Sequence, residues 1–342
     1  MSKIRLGIVG YGNIGRGVEC AVNQNDDMEL VAIFTRRDPD TITPLTAGVK
    51  VYHVEDAEKL LHSTQSSILN SQFSILNSID VMMLCGGSAT DLPEQISHFA
   101  AMYNCVDSFD THARIPEYFA MADEVSKKSK KVAIISTGWD PGLFSLLRVL
   151  GMACLPNGCD YTFWGKGLSQ GHSDAIRRVN GVKFAAQYTI PIESAVNAVR
   201  KGSNPILTPR QKHLRECFVV PEADADLSAI AQAIKTMPHY FSDYETIVHF
   251  ISEAEFKLKH TEMPHGGFVF RTGTTGNENA QRMEFSLQLE SNPEFTANVM
   301  VAYARAAHKL SLKGEFGAKT VLDIPVGLLA NSSMEDLRKR VL

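Results

Sequence analysis

One stretch near the start constrains this 342-residue chain more than any other. Ile4-Arg5-Leu6-Gly7-Ile8-Val9 runs without a break into Gly10-Tyr11-Gly12-Asn13-Ile14-Gly15. The first six residues are apolar and β-branched enough for a buried parallel strand, and Arg16 to Val22 reads as a helix. The three glycines serve three ends, namely a tight turn, close approach of backbone to a pyrophosphate, and close packing of helix on strand. The helix N-terminus then supplies unpaired N–H groups and partial positive charge for the phosphates. The pattern predicts a dinucleotide site and the first βαβ unit of a doubly wound sheet.

The next strand, Glu29-Leu30-Val31-Ala32-Ile33-Phe34, ends about twenty residues after the last motif glycine, where an NAD site places an Asp or Glu on the ribose. Here the chain reads Thr35-Arg36-Arg37. Two guanidiniums and a hydroxyl suit a 2′-phosphate and point to NADP, the alternative being a solvated basic turn.

Three further strands are expected. Ile79 to Cys85 breaks into Gly86-Gly87-Ser88-Ala89-Thr90, Cys105 to Asp110 ends in a carboxylate, and Lys131 to Thr137 leads to Gly138-Trp139-Asp140-Pro141-Gly142. Ligands of such sheets sit at the carboxyl ends of strands. Cys85, Gly86, Gly87, Ser88, Ser108, Phe109 and Asp110 therefore join Gly10 to Gly15 and Thr35 to Arg37 as the expected cofactor set.

The length suggests about two domains. With 44% hydrophobic residues and a net charge of −4, the chain is neither disordered nor basic enough for nucleic acid to be its partner. No signal-peptide core and no membrane-length apolar run is present, so a cytoplasmic location is expected. Six scattered cysteines read as reduced and mostly buried, and no His/Cys cluster suggests a metal. Ser67-Ile68-Leu69-Asn70-Ser71 recurs as Ser74-Ile75-Leu76-Asn77-Ser78. This is too short for a repeat architecture and reads as a surface insertion over 66–78.

Beyond about residue 150 the pattern shifts to aromatic and β-branched runs around Tyr161, Tyr188, Phe218, Ile247, Phe268 and Phe285. They predict a mixed α+β domain around one antiparallel-rich sheet, with helices over 224–236 and 295–310. Polar residues crowd its turns. Gly165-Lys166-Gly167-Leu168-Ser169-Gln170-Gly171-His172-Ser173-Asp174 precedes a helix whose start favours a carboxylate. Met263-Pro264-His265-Gly266-Gly267 puts a histidine at another corner. Trp139 and Trp164, the only tryptophans, sit beside glycine-rich turns, although core packing also accounts for them.

Taken together, the glycine loop, Thr35-Arg36-Arg37, Ser136-Thr137 with the Gly138 to Gly142 run, Phe163-Trp164-Gly165, the Gly167 to Asp174 run and Met263 to Gly267 closely resemble meso-diaminopimelate dehydrogenase, from Lys3 to roughly Val326. The resemblance implies a homodimer that uses NADP to deaminate the D-centre of meso-2,6-diaminopimelate. The products are L-2-amino-6-oxopimelate (which cyclises to tetrahydrodipicolinate) and ammonia; in reverse this is a step toward lysine and diaminopimelate. It implies an NADP-binding domain over 1–150, to which helices from about 295–342 return, and a substrate-binding and dimerisation domain over 151–294.

The resemblance also assigns the site. Asp110 and Asp140 hold the reacting D-amino group, Gln170 and Gly171 bind its carboxylate, and Trp139 and Trp164 form the wall. Thr189, Arg215, His265 and Asn292 grip the distal L-centre. Asp110, Asp140 and His172, in that order, are candidates for activating water. Residues 274–282 read as a loop, which leaves the register of Asn292 open. A dihydrodipicolinate reductase would need a His-rich run and a shorter chain, and a homoserine dehydrogenase a lysine–acid pair; neither pattern is seen. A catalytically silent NADP sensor would have little reason to retain Asp110, Asp140 and Arg215 together.

Overall fold

The computed structural model describes residues 2–57 and 78–342; the serine-flanked duplication lies outside them apart from Ser78. The chain divides into two compact units, one of Met1–Leu146 with Pro293–Leu342 and one of Leu147–Asn292.

The first unit is built on β1 (Ile4–Val9), β2 (Met28–Thr35), β3 (Lys50–His53), β4 (Val81–Leu84), β5 (Asn104–Asp107) and β6 (Val132–Ile134), closed by the strand Gly317–Lys319. All pair in parallel, in the order Gly317–Lys319, β6, β5, β4, β1, β2, β3. Strand order reverses between β1 and β4, so the loops after these two strands flank the topological switch point where such sheets bind ligands. Alternation along the strands divides the core. Leu6, Ile8, Ile33, Met83, Val106 and Ile134 join one apolar cluster with Ala297, Met300 and Ala304 of the helix Asn292–Leu312. Val9, Phe34, Leu84, Cys105 and Ala133 join the other, with Leu92, Ile96 and Tyr118 of the helices Leu92–Phe99 and Ile115–Ser129. This is the doubly wound α/β fold the sequence predicts.

Two strands of this sheet escape the sequence reading. Lys50–His53 and Gly317–Lys319 have four and three residues, too few for periodicity to register. The expected fifth strand is also shorter, three residues against seven. The fourth stops at Asp107, so Asp110 sits in the loop beyond it.

The second unit departs from the single sheet expected. The strands β7 (Gly158–Trp164), β8 (Gly167–Leu168), β9 (Val182–Pro191), β10 (His213–Pro221), β11 (Glu245–Phe250), β12 (His265–Thr275) and β13 (Asn279–Leu289) form two sheets. One has the order β11-β10-β9-β8 and the other β13-β12-β7. The split falls between Trp164 and Gly167, where β7 pairs with β12 but β8 pairs with β9. Strand periodicity identifies strands and carries no information on which partner they choose. Residues 274–282, read as a loop, are a β-hairpin whose register runs to Thr275↔Asn279. Their polar, exposed side chains hide the strand from a hydrophobic pattern. The cysteines also differ from expectation: Cys85, Cys105 and Cys217 are buried, Cys20 is half-buried, and Cys154 and Cys159 are exposed.

Candidate functional site

The glycine loop follows β1. Gly10 has φ of 90°, a left-handed turn that favours glycine, and its N–H donates to the Phe34 carbonyl at 2.8 Å. A Cβ at Gly15 would lie 2.2 Å from the Gly10 carbonyl oxygen, whereas one at Gly12 would meet nothing within 4 Å. The third glycine therefore packs the helix Asn13–Asn23 onto the strand, and the second opens space at the helix start. No side chain caps that helix and no acid occupies its first turn, which leaves its N–H groups and partial positive charge suited to phosphate. Asn13 is exposed and Ile14 half-buried. Tyr11 contributes backbone, since its ring is buried and its hydroxyl donates to the Glu19 carboxylate. That burial pushes the Tyr11 phenol up to about 12.

At the end of β2, the buried Thr35 hydroxyl accepts the Arg37 N–H at 3.1 Å, and the Arg37 guanidinium donates to the Tyr11 carbonyl. Arg36 makes a two-pronged pair with Asp91 at 3.2 and 2.7 Å, while its own side chain remains 71% exposed. Asp91 also accepts the Gly87 N–H at 2.9 Å. A cleft of about 270 Å³ lies here, lined by Val9, Gly10, Arg36, Val54, Gly86 and Phe99 among others. The open Gly12 position, the uncapped helix and two guanidiniums fit a phosphorylated dinucleotide.

The loops after β4, β5 and β6 meet in the same unit. Asp110 donates its N–H to the Ser88 hydroxyl at 2.9 Å. Cys85 is buried, and its thiol is pushed far up by that burial. Ser108 is half-buried, and Phe109 is buried and stacks on Tyr118, with ring centroids 4.0 Å apart. Trp139 is buried and meets Phe144 edge-on at 5.2 Å, next to the half-buried Asp140.

In the second unit, strand register assembles the polar set. Gly167 pairs with Thr189, and Thr189 with Arg215, across β8, β9 and β10. Arg215 is only 7% exposed. Its guanidinium donates to the Thr189 hydroxyl and lies 4.0 Å from the Tyr244 ring centroid, and its Nε has no hydrogen-bond partner. Burial lowers its pKa. Glycine is required at 167 because a Cβ would lie 2.3 Å from the His265 ring. His265 is thereby brought against β8, the strand that pairs with β9 at Thr189. The Gln170 amide reaches the Met263 sulfur at 2.9 Å, and the Asn292 N–H donates to the Met263 carbonyl at 2.9 Å. Trp164 stacks on His213, whose Nε2 accepts the Trp164 N–H at 2.8 Å. Gly171 is exposed in the first turn of the helix Gln170–Arg177.

His172 has a different setting from the two aspartates. Its Nδ1 lies 2.7 Å from the Ser169 hydroxyl and its ring sits edge-on to Tyr240 and Phe241. Burial, with Arg215 nearby, pushes its pKa down to about 3, so the imidazole is neutral and weakly basic. Four further residues emerge only from the structure: Asp91, Asp107, His213 and Tyr244. Asp107 and His213 lie beside residues singled out in the sequence, but nothing in a linear pattern distinguishes them. Among the described residues no group of acids, histidines and cysteines could hold a metal, and no helix is long and apolar enough to cross a membrane.

A doubly wound sheet with this glycine loop and arginine pair, joined in one chain to a unit holding a buried cation, defines a Rossmann-type nucleotide-dependent enzyme class. The Diaminopimelic acid dehydrogenase C-terminal domain profile matches residues 138–291. The meso-diaminopimelate D-dehydrogenase of Ureibacillus thermosphaericus is 61% identical over the whole of both chains. The C. glutamicum DAP dehydrogenase in complex with DAP superposes with a TM-score of 0.89 at 44% identity, covering all of both chains. An engineered D-amino acid dehydrogenase bound to NADP+ gives 0.84 at 42% identity, again over both full chains. The chain belongs to the meso-diaminopimelate D-dehydrogenase family.

Proposed function

We propose that the chain catalyses the reversible, NADP-dependent oxidative deamination of the D-centre of meso-2,6-diaminopimelate to L-2-amino-6-oxopimelate and ammonia. The observation that carries this reading is Arg215. A buried guanidinium that no carboxylate neutralises among the described residues is costly unless a ligand supplies the anion. An α-carboxylate matches its planar donors. The family relationship, the DAP complex of one relative and the NADP+ complex of another support substrate and cofactor.

In this reading Gly10 to Gly15 hold the pyrophosphate, with Thr35, Arg36 and Arg37 at the 2′-phosphate. Cys85 to Ser88 and Ser108 to Asp110 line the remainder. NADP, when bound, accepts the hydride. Asp110 and Asp140 accept hydrogen bonds from the D-ammonium, and one of them takes its proton as general base, which leaves the neutral amine whose lone pair drives loss of the hydride. Gln170 and Gly171 hold the adjacent carboxylate, Trp139 and Trp164 are assigned to the wall, and Thr189, Arg215, His265 and Asn292 anchor the L-centre. Asp110 and Asp140, ahead of the buried His172, are the candidates for activating the water that attacks the imine. The unit of residues 1–146 and 293–342 serves the cofactor, and the unit of residues 147–292 serves substrate and dimerisation. Val149, Leu150 and Met152, exposed on the helix Leu143–Cys154, support a homodimer, and we assign the enzyme to the cytoplasm.

Initial rates of NADPH formation with meso-, LL- and DD-diaminopimelate, each with NADP and NAD, test the reading. Turnover of the meso isomer with NADP is expected. NADP binding without turnover of any isomer would instead identify a sensor.

A further inference from the structure

Asp107 ends β5 with a fully buried carboxylate that none of the roles above uses. Three donors converge on it. Oδ1 accepts the N–H of Phe109 at 3.0 Å and that of Ser136 at 2.9 Å, and Oδ2 accepts the Tyr118 hydroxyl at 2.7 Å. Its main-chain carbonyl accepts both the N–H of Thr137 at 2.9 Å and the Thr137 hydroxyl at 2.7 Å. One residue thus binds the loop that leads to Asp110 and the loop that leads to Trp139 and Asp140.

The sheet does not supply this tie itself. Pairing of β5 with β6 covers Cys105↔Ala133 and Val106↔Ile134, and Asp107 takes over where the ladder stops. Ser136 stands at φ of 55°, a left-handed conformation that costs a non-glycine residue energy unless its surroundings hold it. Burial pushes the Asp107 carboxyl up to about 6, so near neutral pH the site retains an ionised group that an apolar residue would not have to desolvate.

We propose that Asp107 is the positioning residue of the reacting centre: its carboxylate and its main-chain carbonyl together clamp the Asp110 loop to the Asp140 loop and set where the two carboxylates stand. The proposal rests on the amine-binding role assigned above to those two aspartates. Asp107 acts through the loops and touches neither substrate nor cofactor.

The test compares full-length wild type, Asp107→Ala, Asp107→Asn and Thr137→Val. It reads kcat, KM, NADP affinity and amide hydrogen exchange over residues 108–110 and 136–140. For Asp107→Ala, kcat is expected to fall about 100-fold, the scale of an ångström-level misplacement. NADP affinity should stay near wild type, and both loops should exchange faster. The asparagine oxygen can still accept both N–H groups, so Asp107→Asn should recover to within about fivefold of wild type. Thr137→Val keeps the main-chain bond and should lose about fivefold in kcat with faster exchange in 136–140; it carries the test if the alanine variant does not fold. Wild-type exchange in either loop of a folded Asp107→Ala overturns the clamp. So does activity lost only in proportion to folded protein, or an asparagine variant no better than alanine. A wild type that turns over no diaminopimelate would remove the functional reading, while the exchange comparison would still decide whether Asp107 ties the loops.

Discussion

Arg305 in the first unit and Arg215 in the second are both buried guanidiniums, 4% and 7% exposed, yet their surroundings differ. Arg305 makes four hydrogen bonds, two of them to a carboxylate: it donates to Asp27 at 2.6 and 2.9 Å, to Asn25 at 2.7 Å and to the Leu329 carbonyl at 2.6 Å. It ties the helix Asn292–Leu312 to the turn before β2. Arg215 has a hydroxyl, an aromatic face and an unpartnered Nε. A buried cation with its anion supplied is part of the fold, and one without is built for a ligand.

Substitution should separate the two. Arg215→Met removes the unpaired charge and keeps apolar bulk, so kcat/KM for meso-diaminopimelate should fall about 10²- to 10³-fold, with melting temperature unchanged or raised. Steady-state kinetics and calorimetry would show it; equal losses of activity and stability would make Arg215 a second Arg305.

Arg305→Ala should do the opposite, costing about 2–4 kcal/mol of stability because the half-buried Asp27, the Asn25 amide oxygen and the Leu329 carbonyl all lose their donor, with kcat per folded molecule unchanged. The sign of its pH dependence follows from Asp27, whose carboxyl the Arg305 guanidinium holds below its usual range. A lowered carboxylate pKa contributes stability above the unfolded value, and that contribution is lost as pH falls through the folded one. The gap between wild type and variant in chemical denaturation should therefore be full at pH 7 and shrink below about pH 4.

The glycine loop sharpens the same distinction between fold and ligand. Gly15→Ala places a Cβ against the Gly10 carbonyl and should destabilise the first unit by about 2 kcal/mol. Gly12→Ala meets no protein atom and should melt normally, yet weaken NADP binding roughly tenfold by filling the phosphate approach. Isothermal titration beside thermal melting separates the two. The smallest effect belongs to Asp91, which holds Arg36: Asp91→Asn should release the guanidinium and tighten NADP, but not NAD, by about two- to threefold.

These contrasts explain what the sequence makes legible. The glycine loop and Thr35-Arg36-Arg37 are contiguous, so their chemistry survives in a linear reading, and the parallel sheet follows from its apolar strands. Thr189 and Arg215 meet only through the register of β9 on β10. A one-residue slip would send those side chains to opposite faces. Their roles came from resemblance, since neither spacing nor composition brings them together. The hairpin over 274–282, the division of the second unit into two sheets and the Asp107 contacts all depend on strand pairing, which local propensity does not encode.

The most direct measurement is calorimetric titration of meso-diaminopimelate into NADP-loaded wild type and Arg215→Met. If Arg215 is the ligand's counter-ion, the variant binds at least about 100-fold more weakly, keeps its affinity for NADP and melts no lower than wild type. A variant that binds within about threefold of wild type, or that melts several degrees lower, would show that the unpaired guanidinium is a structural group.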